Sequence, residues 1–139
     1  MTSRHRAPVT TQEFRMEVAG PPDRVWAALT TPASTRQFLF GIALESSWTA
    51  GSPITGSIDG APVLAGEVLF AEYPHRLSYV LFAGAGHPGA YVTWEVPAGR
   101  GNATVQLCVD EADADIEEIA AAWQPVVTAF QALLLTRAS

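Results

Sequence analysis

The stretch Gly66–Phe82 constrains this chain more than any other, because its apolar residues do not step at three and four but pair up around a proline-bearing corner, Tyr73-Pro74-His75. That pattern is two strands joined by a tight turn rather than a helix. Leu77, Tyr79 and Leu81 alternate with Ser78, Val80 and Phe82, which places the first three on one face. In Pro62–Tyr73 apolar residues lie on both sides, Leu64, Val68 and Phe70 against Val63, Leu69 and Tyr73, so alternation leaves the inward face of that strand open.

Alternation extends in both directions from this corner. Upstream, Phe14, Met16 and Val18 alternate with Glu13, Arg15 and Glu17, so Thr10–Val18 reads as a half-buried strand. Weaker strands are expected over Ala43–Trp48 and Ile54–Asp59, with Asp59-Gly60 as a hairpin turn. Downstream, Val92, Trp94 and Val96 alternate with Thr93 and Glu95, and Val105, Leu107 and Val109 alternate with Thr104, Gln106 and Asp110.

Two places change to a helical period. Gly20-Pro21-Pro22 stops the first strand and opens a helix whose inner face is Val25, Trp26 and Leu29; Thr30–Ser34 breaks it, and a second short helix is expected through Phe38. Near the end, Ile116, Ile119, Ala120, Trp123, Val127, Phe130 and Leu134 recur at three and four, preceded by the capping pair Asp115 and Glu118. Pro125 removes one backbone hydrogen bond from that helix, which predicts a kink near Ala121 or a short helix followed by the main one. An antiparallel sheet followed by one long amphipathic helix is an α+β arrangement in which a curved sheet of about six or seven strands grips the helix, and such a grip encloses an apolar hollow.

Composition narrows the function. The 139 residues suit a single domain, expected over residues 10–137 behind a loose tail of residues 1–9. The formal charge of -6 opposes nucleic-acid binding, and all eight cations are Arg, which removes every reaction that needs a lysine. No apolar run approaches the roughly 18 residues of a membrane span, and the start carries no secretion-like apolar stretch, as expected of a cytoplasmic protein. Cys108, the one thiol, sits on an alternating strand and reads as structural. There is no HExxH, CxxC, GxSxG or Gly-rich phosphate loop, so neither a metal nor another cofactor is expected, and His75 and His87 lie in a corner and a loop without a motif that would pair them.

Several segments together resemble a known family: Val25-Trp-Ala-Ala-Leu-Thr-Thr-Pro32, the Gly51-Ser-Pro53 turn, Gly66-Glu-Val68, Tyr73-Pro-His-Arg-Leu-Ser-Tyr79, Val92-Thr-Trp-Glu95 and the run Trp123–Leu134. Their order resembles the START and birch-pollen-allergen superfamily, and within it the bacterial proteins similar to activators of heat-shock-protein ATPase. The resemblance covers about Val9 to Arg137. It implies a helix-grip fold whose apolar cavity, between the last helix and the concave sheet, binds a lipid, a polyketide-like compound or another hydrophobic small molecule.

Three functional readings follow. The first is a binding module whose cavity candidates are Trp26, Phe38, Phe40 and Trp48 from the first half, Phe70, Tyr79, Leu81 and Trp94 from the sheet, and Trp123, Val127 and Phe130 from the last helix. Core packing is the competing role for each. Tyr79, Trp94 and Trp123 each carry a hydrogen to donate and would orient the ligand. The second is a cyclase- or dehydratase-like enzyme using the same cavity, which needs Glu67, Glu72 or Tyr79 to point inward, with Arg76 as a further polar group; a solvated outer face is the alternative for the charged three. The third is a partner-binding or co-chaperone-like protein, including a homodimer joined along an edge strand or through Trp48.

Overall fold

A computed structural model describes residues 9–82, 88–97, 103–112 and 116–136. Residues 1–8 of the expected tail, His87 and Asp115 lie outside the described residues. The elements run β1 (Val9–Val18), α1 (Pro22–Thr30), α2 (Pro32–Phe38), β2 (Ala43–Glu45), β3 (Pro53–Ile58), β4 (Ala61–Glu72), β5 (Arg76–Phe82), β6 (Pro88–Glu95), β7 (Ala103–Ala112) and α3 (Ile116–Thr136). The strands form one antiparallel sheet in the order β1-β7-β6-β5-β4-β3-β2. The sheet's concave side carries α3, so the α+β helix-grip architecture expected from the sequence is the one the chain adopts.

The alternating faces become the core. Phe14, Met16 and Val18 of β1, Leu77, Tyr79 and Leu81 of β5, Val92 and Trp94 of β6, and Val105, Leu107 and Val109 of β7 are all buried. They meet Ile119, Trp123, Val127, Phe130 and Leu134 from α3. Gln131 of α3 also donates to the Glu17 carbonyl of the edge strand β1 at 3.2 Å, tying the helix to that rim.

β4 answers the question that alternation left open. Val68 is fully buried and Leu64 packs on the core, while Val63 and Leu69 are exposed. A register shift between Val68 and Phe70 then inverts the phase, so Phe70 pairs with Ser78 on the outer face and Ala71 returns inward opposite Leu77. One inserted residue flips every later side chain, because the strand period is two.

β2 ends at Glu45, three residues before the expected Trp48. Ser46 Oγ accepts the Trp48 N–H at 3.0 Å, and Ser47, Thr49 and Ser52 form a hydroxyl cluster with distances of 2.6 and 2.7 Å. Such local bonds compete with the sheet ladder for the backbone, and Trp48 adopts a left-handed φ of 58°. The hairpin at Asp59-Gly60 forms as expected, with φ of 53° and 83° at the two turn residues.

Helix α3 runs unbroken through Pro125, which overturns the expectation of two successive helices. Ala121 and Pro125 both lie on the exposed side of the helix. The Ala121 carbonyl, deprived of its partner by the proline ring, therefore faces water instead of the core, and the buried stripe behind it stays continuous.

Candidate functional site

The interior under α3 is aromatic, and it divides into two parts. Under the second half of the helix, Phe38, Trp94 and Phe130 pack against one another, with centroids 5.9 Å apart for Phe38 and Trp94, 4.9 Å for Phe38 and Phe130, and 5.0 Å for Trp94 and Phe130. All three are at most 3 % exposed. Edge-on and tilted contacts of this kind suit the ring quadrupoles, and these rings fill their end of the interior.

Around Trp123 in the first half of the helix, and around Tyr79 on the sheet, the rings are arranged differently. Trp123 is buried, and its indole N–H donates to Glu111 Oε2 at 3.1 Å. Phe40 meets it edge-on at 5.1 Å but remains 48 % exposed, on a backbone with φ of 56°. Trp48 is half-buried and lies edge-on to Tyr79 with centroids 6.0 Å apart. Leu81 and Val127 are buried in the same core.

Tyr79 is the polar centre of this interior. It is 1 % exposed, and its hydroxyl oxygen accepts the Trp94 indole N–H at 3.1 Å. Burial pushes the phenol pKa well above its ordinary value of 10, a shift only partly offset by the bond from Trp94. The hydroxyl therefore stays protonated and is a hydrogen-bond donor rather than a base.

The remaining sequence candidates lie elsewhere. Trp26 packs on the core from its margin, edge-on at 5.5 Å to the exposed Tyr73, and so braces α1 against the β4–β5 corner. Phe70, expected to line the cavity, is on the outer face, with the Arg76 guanidinium 5.4 Å above its ring, because of the register shift in β4. Glu67, Glu72 and Arg76 are exposed on that same outer side, where Arg76 pairs with Glu95 at 3.5 Å. Neither Glu67 nor Glu72 reaches the interior to move a proton, which removes both as the bases of a cyclase or dehydratase.

The carboxylate that does reach the concave side is Glu111, which the sequence reading overlooked. It continues the inward phase of Val105, Leu107 and Val109 by one more step, and an acid in phase with a buried face was the available signal. Cys108 is half-buried on the opposite face; burial, then the charge of Glu13, pushes its thiol pKa up, so it is a poor nucleophile. His75 is structural: its Nδ1 donates to the Val96 carbonyl at 2.8 Å, joining the β4–β5 corner to the end of β6. Among the described residues no group of three His, Cys, Asp or Glu side chains is placed to hold a metal ion.

Two clefts among the described residues open on the outside. One of about 390 Å³ lies between α1, α2 and the end of α3, where Arg24, Ser34 and Gln37 surround Ala28 and Leu134. The other, of about 360 Å³, lies over the β4–β5 corner between Glu72, His75, Arg76 and Glu95.

A curved seven-stranded sheet closed around a C-terminal helix, with two short helices after the first strand, defines a helix-grip protein of the START-like class. Within that class, the chain belongs to the family of activator of Hsp90 ATPase homolog 1-like proteins, whose model matches residues 19–134. A crystal structure of a protein from Rhodobacter sphaeroides is 26 % identical, with a TM-score of 0.70 over 92 % of this chain and 93 % of that one. The solution structure of a protein from Cytophaga hutchinsonii is 21 % identical, with a TM-score of 0.74 over 96 % and 98 % of the two chains. An HSP90 activator from Plasmodium falciparum shares the fold at 16 % identity, with a TM-score of 0.69 over 91 % and 96 %. No curated protein matches the sequence. Among the described residues no helix is long and apolar enough to cross a membrane.

Proposed function

We propose that this chain binds a hydrophobic small molecule between the first half of α3 and the concave face of the sheet. The observation that carries the reading is the segment from Phe40 to Trp48. Both residues hold bulky rings on a left-handed backbone, and both rings remain partly open to solvent beside buried Trp123 and Tyr79. A left-handed conformation costs a side-chain-bearing residue about 1–2 kcal/mol, and strain of this kind concentrates where a surface must hold a ligand. Folding alone would place these rings either fully inside or out of the way, as it does with Phe38 and Phe130.

The fold class supports the same site, because a ligand entering under a gripped helix is held by apolar area and oriented by a few polar groups. With Glu67 and Glu72 outside, Glu111 bonded to the Trp123 N–H and the Tyr79 phenol kept protonated, binding is favoured over proton-transfer catalysis. The test is a fluorescence titration with N-phenyl-1-naphthylamine, a neutral apolar probe, alongside native mass spectrometry of protein purified from its own host. One saturable site per chain, weakened in Phe40→Ala, is the expected result. An unsaturable titration together with a bare polypeptide mass would overturn the reading.

A further inference from the structure

Three inward side chains carry a hydrogen that could orient a ligand, and the fold spends two of them internally. The Trp123 indole donates to Glu111 and the Trp94 indole donates to Tyr79. The Tyr79 oxygen is thereby used as an acceptor, but its own proton has no acceptor among the described residues. The other buried hydroxyls are engaged: Thr35 donates to the Pro32 carbonyl and accepts the Leu44 N–H, and Ser52 bonds to Ser47 and Thr49. A buried donor without an acceptor is disfavoured, so among the buried side chains of the described residues the Tyr79 proton is the polar valence left open.

Charge restricts what can satisfy it. Arg15, Arg36 and Arg76 are exposed, and Arg24 stands in the outer cleft beside Gly20, where a Cβ at position 20 would lie 2.9 Å from its Cδ. None of these cations faces Tyr79, and the carboxylate on the concave side, Glu111, would repel an anion. Among the described residues a carboxylate ligand buried there would therefore find no counter-charge.

Given the apolar-ligand reading above, on which this rests, we infer that the molecule bound under α3 is a neutral carbonyl compound whose oxygen accepts the Tyr79 hydroxyl. The resulting chain runs from the Trp94 N–H to the Tyr79 oxygen and from the Tyr79 O–H to the carbonyl. Each bond polarises the next, so donation by Trp94 makes the phenol a stronger donor. Free fatty acids and plain hydrocarbons both fit this arrangement poorly, the first for charge and the second for want of an acceptor.

The test compares 2-acetylnaphthalene with 2-ethylnaphthalene, a matched pair that differs in the carbonyl, by calorimetric titration of the wild type and of Tyr79→Phe. The affinity ratio in favour of the ketone is expected to fall by about five-fold in the variant. Methyl 2-naphthoate is expected to bind the wild type at least about ten-fold more tightly than 2-naphthoate at pH 8. The infrared stretch of the ketone carrying ¹³C at its carbonyl reports the bond in the wild type alone. It should lie below its position in cyclohexane and return towards that position in Tyr79→Phe. A cyclohexane-like stretch with an unchanged ratio would overturn the carbonyl inference and leave apolar binding intact. Tighter binding of 2-naphthoate would overturn the neutral-ligand part. Failure of all four compounds to bind the wild type would overturn the apolar-ligand reading as well.

Discussion

The two halves of the interior under α3 use the same residue types to different ends. Phe38, Trp94 and Phe130 bury one another, whereas Phe40 and Trp48 lean on buried Trp123 and Tyr79 and stay partly open to solvent themselves. The difference originates in the backbone. The closed cluster projects from regular helix and strand, and the open pair projects from left-handed residues flanking the short strand β2. Aromatic content alone therefore does not distinguish a core from a site; the conformation that carries each ring does.

The sharpest way to break this comparison is to truncate one ring from each half. Phe130→Ala should lose about 3–5 kcal/mol in urea unfolding, because a fully buried ring leaves a cavity that its neighbours cannot close. A loss of under about 1 kcal/mol there would mean that the closed half is loosely packed.

Tyr79→Phe comes next, at about 1–3 kcal/mol, because the Trp94 N–H is left buried without its acceptor. Its signature is alkaline. With the folded pKa raised, the unfolded chain releases the Tyr79 proton first, so the wild-type contribution is intact below pH 10 and declines above it. The decline reaches about 1.4 kcal/mol per pH unit for one group. Unfolding followed from pH 8 to 11 should show this slope in the wild type and a shallower one in Tyr79→Phe; equal slopes would contradict the burial of the phenol.

Trp48→Asn addresses the open half. Asparagine accepts a left-handed backbone, so relief of strain offsets part of the lost packing and stability should change by less than about 1 kcal/mol. The same variant should bind N-phenyl-1-naphthylamine more weakly, and undiminished affinity would remove Trp48 from the site. Smallest in stability is Phe40→Ala, at about 0.5 kcal/mol by chemical denaturation, since half of that ring already faces water. A cost matching that of Phe130→Ala would erase the distinction between the halves.

Much of the fold was legible beforehand because strands that bury one face repeat at two and the long helix at three and four. The positions of β1, β5, β6, β7 and α3, and the inward phase of Tyr79 and Trp94, follow from that rule. The candidate site was legible only as a set of residue types. Phe70 looked equivalent to Val68 until an inserted residue reversed its phase, and Glu111 looked like the polar end of a strand until Trp123 arrived over it.

Side-chain period, proline placement and charge were sufficient to establish a helix gripped by an antiparallel sheet and to exclude the chemistries that need lysine. Which indole hydrogens are consumed, which phenol proton is left over and which rings stay half open were decided by tertiary structure. The physical reason is range. Periodicity is a property of neighbours along the chain, whereas the bond from Trp94 to Tyr79 joins residues 15 apart and that from Trp123 to Glu111 joins helix to strand, pairings that exist only once the sheet has curved.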